Sequence, residues 1–149
     1  MHRLYIFLRS DLESLTPGKA AAQVAHAASQ HAWRAANNDR AGNDAYGDWI
    51  DRGRELGSGR LDRDAEDFGT TLVLDGGTFF PTADPGLIDL VLSAKLNGCV
   101  RDPTYPIRDG RVTHHLDLIT CYWAFDDLEK NLEFATRVKD FRLYSGNHD

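Results

Sequence analysis

The stretch that decides the fold is LYIFLRSDLESLTPGKAAAQVAHAA, residues 4–28. Residues 3–9, RLYIFLR, are short, apolar and aromatic between charges, which is the pattern of a buried strand. SDLESLTPGK then interrupts the apolar run. Thr16 suits a helix N-cap and Pro17 suits the first helical position, where its missing N–H costs nothing. From Gly18 to Ala36 the chain is Ala-rich without a breaker, so a long helix is predicted. Asn37, Asn38 and Gly42 close it.

That helix carries one polar stripe. With Lys19 at zero and a step of 100° per residue, Gln23, His26 and Gln30 fall at about +40°, −20° and +20°. Ala20, Val24, Ala27 and Ala28 lie on the flank and far side, where small residues admit a sheet closely. A solvated helix face ordinarily carries Glu and Lys; this one carries Lys, Gln, His and Gln. Lys19 in the first turn opposes the helix dipole, unless an anion shares the site with it and the free backbone N–H groups. From spacing alone, an ordinary amphipathic face and an anion-binding stripe weigh about evenly.

Outward from this segment the chain alternates strand and helix without an internal repeat. Residues 44–56 form a weaker second helix, and residues 57–69 read as an exposed loop. TTLVLD, residues 70–75, is a second strand ended by Gly76–Gly77. Asp84–Pro85 open a helix with Leu87, Ile88, Val91, Leu92 and Leu96 at helical spacing, closed by Gly98. CVRD, residues 99–102, is a third short strand. Residues 103–115, with two Pro, one Gly and two His, read as a loop; LDLITCYWA, residues 116–124, is a fourth strand. Asp126 or Asp127 caps a last helix with Leu128, Leu132, Ala135 and Val138 inward, and FRLY adds to a sheet edge or packs as a short extended piece. The order predicts an α/β fold: a single three-layer α/β/α domain, residues 1–149, around a small mixed four-stranded sheet.

Composition narrows the function. At 149 residues and 16.7 kDa, with 42% hydrophobic and 27% charged residues, the chain can bury one core and is not of disordered type. No apolar run approaches the roughly 20 residues of a membrane span, and the N-terminus lacks a signal-peptide pattern. The cytoplasm is the expected location. Cys99 and Cys121 lack CxxC spacing and read as buried thiols. The net charge of −6 argues against a general nucleic-acid coat or a DNA-binding module, yet residues 1–36 carry a surplus of two positive charges.

Here the sequence resembles a known family. Arg9-x-Asp11-Leu12 at the strand end, then Gly18, Lys19, Ala21, Ala22, Gln23, His26 and Ala27, is similar to the signature of the archaeal/eukaryotic-type peptidyl-tRNA hydrolases. TTLVLD, CVRDP and ITCYWA resemble later elements of that family, and VKDFRLY looks more like its divergent domain-containing branch. The resemblance implies an esterase that frees a peptide, or an N-blocked amino acid, from the 3′ ribose of tRNA, with peptidyl-tRNA as partner and a homodimer left open. It implies catalytic roles for Lys19 on a phosphate or oxyanion, Asp102 on the attacking water, Thr120 and Gln23 in the hydrogen-bond network, and His26 as a positioning group. Arg9, Gly18, Gln30, Arg34 and Thr104 are the substrate-binding candidates. This chemistry calls for no metal, no cofactor and no covalent nucleophile; a carboxylate is a weak base, so positioning must supply much of the rate.

The family's Asp-Ala-Gly-Arg-Thr-Gln loop is replaced here by Asp102-Pro103-Thr104-Tyr105-Pro106. A second reading is therefore a binding module of the same fold that holds tRNA or another RNA without turnover; a third is a protein-interaction domain. Other candidates weigh less. Adjacent His114 and His115 would point to opposite faces of a strand and share a metal poorly. The run Asp62, Asp64, Glu66, Asp67 lacks the glycine and glutamate of a calcium loop. Trp33, Trp49 and Trp123 read as packing residues, with base stacking by Trp33 the minor alternative. Gly76–Gly77 lacks the Lys-Ser/Thr of a phosphate loop, and there is no Gly-x-Ser-x-Gly elbow.

Overall fold

The computed structural model describes residues 1–37, 44–50 and 69–146. Four strands, β1 (His2–Leu8), β2 (Thr71–Asp75), β3 (Leu96–Asp109) and β4 (Val112–Asp127), form one sheet in the order β2-β1-β4-β3. β1 runs parallel to β2 and antiparallel to β4, and β4 is antiparallel to β3, so the sheet is mixed. Helix α1 (Pro17–Asn37) and the described helical residues 44–50, here α2, cover one face. Helices α3 (Pro85–Leu92) and α4 (Leu132–Arg137), with the 3-10 turn Val138–Asp140, cover the other. The predicted three-layer α/β arrangement is the one observed.

β1 is central, and its composition follows from that. Leu4, Ile6 and Leu8 pack toward α1 while Tyr5 and Phe7 pack toward α3 and α4. A strand covered on both faces reads as an unbroken apolar run. On β4, Cys121, Trp123 and Phe125 join the α1 side and Ala124 joins the other. α1 reaches the sheet through Ala20, Ala27 and Ala35, each small enough to bring the helix backbone close. The FRLY tail lies on the free edge of β2: Leu143 bridges Leu74, and the Tyr144 N–H donates to the Val73 carbonyl at 3.0 Å.

Several sequence expectations need correction. The segment 103–115 is not a loop. β3 and β4 continue as a hairpin through Ile107↔His114 and Asp109↔Val112, turning at Gly110. Gly110 takes φ +58°, as the first position of a two-residue hairpin turn demands. Pro103 and Pro106 disguise the strand, but β3 is an edge, where a missing N–H is tolerated. Helix α3 ends at Leu92 rather than Gly98, and Leu96 already pairs with Phe125. Gly98 lies inside β3 opposite Trp123, where an added Cβ would come within 2.8 Å of the indole. Asp126 and Asp127 end β4; the cap of α4 is Asn131, whose Oδ1 accepts the Phe134 N–H at 3.1 Å, and Leu132 is exposed while Phe134 is buried. The expected loop 57–68, the rest of the second helix beyond Ile50, and the positions of Asn38 and Gly42 lie outside the described residues.

The two cysteines are free, as expected. Cys99 pairs with Tyr122 and Cys121 with Val100, so consecutive positions aim the two side chains at opposite faces of the sheet. Burial pushes the Cys121 thiol up to about 12, which keeps it protonated and inert. His114 and His115 occupy consecutive β4 positions opposite Ile107 and Pro106, and the Nδ1–H of His115 donates to the Thr104 carbonyl at 3.2 Å.

Candidate active site

The polar stripe of α1 does not face solvent as a whole. Gln23 is buried, Lys19 and Gln30 are half-buried, and His26 is exposed. The stripe runs along the border between α1 and the β3 edge. There Gln23, His26 and Gln30 line an open cleft of about 410 Å³ together with Ser29, Val100 and Asp102. The helix positions its polar residues at this border because the face next to them is alanine, which lets α1 lie low against β3 and β4.

Gln23 is the hub. Its Oε1 accepts from the Thr120 Oγ1 at 2.7 Å, and its Nε2 donates to Asp102 Oδ2 at 3.5 Å. The Thr120 hydroxyl has one proton, so its bond to Gln23 leaves the amide nitrogen aimed at the carboxylate. Asp102 Oδ1 accepts the backbone N–H of Thr104 at 3.0 Å. Both carboxylate oxygens are thus oriented, one by the helix and one by the strand's own irregularity between Asp102 and Tyr105. An edge strand with that bulge re-aims a side chain out of the ladder.

Lys19 sits one turn nearer the helix N-terminus and does not line this cleft. Its Nζ lies 5.3 Å from the centre of the Tyr105 ring, and no carboxylate among the described residues is within ion-pair reach of it. Tyr105 is buried, which raises its hydroxyl above the usual phenol range, and the Ser14 hydroxyl lies 3.5 Å from it. The ammonium therefore has an aromatic platform and no hydrogen-bond acceptor among the described residues, beside the open end of α1, where no acidic residue occupies the first turn. Gly18 is exposed there, and a Cβ on it would meet nothing.

Five other candidates, Arg9, Thr120, Gln30, Arg34 and Thr104, make contacts within the protein. Arg9 is buried, and its guanidinium donates to both oxygens of Asp11 at 2.7 Å and to the Ile119 carbonyl at 3.1 Å. It holds the β1–α1 connection. Burial alone would raise the Asp11 carboxyl, but Arg9, the Phe79 N–H and the Thr78 hydroxyl hold it below the usual carboxylate range. Thr120 is fully buried behind Gln23, within the hydrogen-bond network expected of it. Gln30 Oε1 accepts from Trp123 Nε1 at 3.1 Å, which ties α1 to β4. Arg34 donates to the Asn97 carbonyl and lies 5.5 Å from the Trp123 ring centre. Thr104 is exposed and contributes its backbone to Asp102. The sequence reading missed Tyr105 and Ser14, whose roles depend on a strand it took for a loop.

Residues 2–56 match the family model described as peptidyl-tRNA hydrolase PTH2. Over that segment, which contains β1 and α1, the chain is PTH2-like, in agreement with the motif from Arg9 to Ala27. The matched segment carries Lys19, Gln23 and His26; Asp102, Thr104 and Thr120 lie beyond it. No curated protein matches the chain. Among the described residues, no helix is long and apolar enough to cross a membrane, and no group of three His, Cys, Asp or Glu side chains could hold a metal.

Proposed function

We propose that the chain hydrolyses the ester between a peptide, or N-blocked amino acid, and the 3′ ribose of tRNA, as a cytoplasmic enzyme of translation. One observation carries this reading: Gln23, inside the PTH2-like segment, is bonded to Asp102 and Thr120, both outside it, so one side chain joins the matched and unmatched halves at the cleft. In the proposed step, Asp102 takes a proton from a water as its oxygen attacks the ester carbonyl. Lys19 stabilises the oxyanion that forms. The C–O bond to the ribose then breaks, and the 3′ oxygen recovers the proton from Asp102, giving a free peptide acid and an intact tRNA. Gln23 and Thr120 are positioning residues; they fix the carboxylate so that a weak base meets the water in line. His26, exposed at the cleft rim, orients the ester or the terminal ribose.

The test is release of the blocked amino acid from N-acetyl-aminoacyl-tRNA by the purified protein, with free aminoacyl-tRNA as control. Lys19→Ala and Asp102→Ala lower the rate by about 100-fold or more, the scale of a lost oxyanion donor or general base. Wild-type rates in both variants, with folding confirmed, overturn the reading. The rebuilt segment Asp102–Pro106, a bulged strand here, favours one alternative: an RNA-binding module that retains the groove without turnover. Salt-sensitive tRNA binding with no hydrolysis identifies it.

A further inference from the structure

The border between α1 and β3 does not end at the Asp102 cleft. One turn beyond Gln30 it opens again into a cleft of about 380 Å³ lined by Trp33, Arg34, Asn37, Lys95, Leu96 and Asn97. The lining of the first cleft reaches Val100 on β3, and that of the second reaches Leu96. Asn97 also lines the second cleft, so the two linings are three strand positions apart, about 10 Å. The two clefts are stations along one path.

The chemistry of the second station differs from the first. Trp33 is 67% exposed, whereas Trp49 and Trp123 are buried. Trp33 makes no ring contact with any described residue. A single exposed aromatic is unremarkable by itself; this one stands beside two cations. Arg34 is held in place by the Asn97 carbonyl and the Trp123 ring, and the Lys95 ammonium has no ion-pair partner among the described residues. The amide nitrogens of Asn37 and Asn97 donate to the carbonyls of Trp33 and Ala94, which leaves each amide oxygen as an acceptor. An aromatic face, cations and amide acceptors are what a single-stranded nucleotide needs: a stacking surface, charge for its phosphate, and acceptors for an exocyclic amine.

We infer that this cleft is a nucleobase-stacking subsite that grips the single-stranded end of an RNA, with a base on Trp33 and its phosphates on Arg34 and Lys95. The inference rests on the proposed function only in assigning the RNA as the 3′ end of tRNA. The strand would enter at Trp33 and carry its terminal ribose along β3 to Asp102.

Because Trp33 alone is exposed, tryptophan emission reports the contact. Titrating the protein at low salt with a short single-stranded RNA ending in the CCA of tRNA quenches the exposed component of the emission. Trp33→Ala abolishes that quenching and weakens binding about ten-fold by anisotropy of a labelled RNA, the scale of one lost stack. Trp33→Phe restores most of the affinity, which a merely structural role would not explain. Lys95→Ala lowers the slope of log K against log salt by about 0.7. Near-ultraviolet circular dichroism checks that each variant folds. No quenching, or equal affinity in wild type and Trp33→Ala, overturns the inference, even if the protein hydrolyses N-acetyl-aminoacyl-tRNA. Quenching without hydrolysis keeps the subsite and overturns the esterase reading instead.

Discussion

His31 carries an imidazole strongly perturbed by burial. It is buried among Tyr46, Trp49, Trp123 and Phe125, with Nε2 lacking a partner among the described residues. Burial lowers it from 6.5 to about 4. The folded state keeps the ring neutral while the unfolded chain protonates it near 6.5. Stability is therefore full above 6.5 and falls as pH drops toward 4, by about 3 kcal/mol for a shift of this size. Urea melts at pH 7 and pH 4.5 should show that loss, and His31→Leu should flatten it; parallel profiles would refute the assignment. Asp11 acts in a different window. Its carboxyl is held low, so its contribution is present above the ordinary carboxylate range and is lost as pH falls below it. Removing its partner with Arg9→Ala should cost about 3 kcal/mol, by leaving a partly buried charge unpaired. The Thr120–Gln23 bond can be isolated with Thr120→Val, which keeps the shape and removes the donor. Its cost is about 1–3 kcal/mol in stability, with a fall in kcat that exceeds any change in KM.

Among the elements, β3 and β4 explain most of the distance between sequence and structure. The sequence suggests a loop at 103–115 because proline argues against a strand interior. The strand exists because β3 has only one neighbour, so its outer N–H groups need no ladder partner. Gly98 shows the same logic. It resembles a helix stop, yet its function is to make room for the Trp123 indole in the neighbouring strand. Gly98→Ala should therefore destabilise the protein by about 1–3 kcal/mol through overpacking, and differential scanning calorimetry would measure it. A neutral result would mean that Trp123 and Gln30 move freely together. α1 contrasts with both: its cap region, proline, alanines and polar stripe are local features, and all were readable.

At the scale of the molecule, the proposed function asks a protein of net charge −6 to bind a polyanion. On that proposal the attraction is local, with Lys19 and Arg34 on α1 and Lys95 just before β3 supplying it. Three such contacts predict that log KM for N-acetyl-aminoacyl-tRNA rises with log salt with a slope of about 2. Steady-state kinetics across a salt series measures this, and a flat response would remove these cations from the substrate path. On the same proposal the acidic remainder would limit non-specific binding, since like charge repels nucleic acid elsewhere on the surface.

The sequence by itself determined the alternation of strand and helix, the three-layer arrangement, the peptidyl-tRNA hydrolase resemblance and the stripe from Lys19 to Gln30. These depend on periodicity and local motifs within a few turns of chain. Only the tertiary structure decided that Arg9 serves Asp11, that Thr120 lies behind Gln23, and that Trp33 rather than Trp49 or Trp123 remains exposed. It also decided that Asp102 meets Gln23 across 79 positions of chain. Each of those facts is set by which residues oppose one another across β1, β4, β3 and α1. Pairing between distant strands leaves no local pattern in the sequence to read.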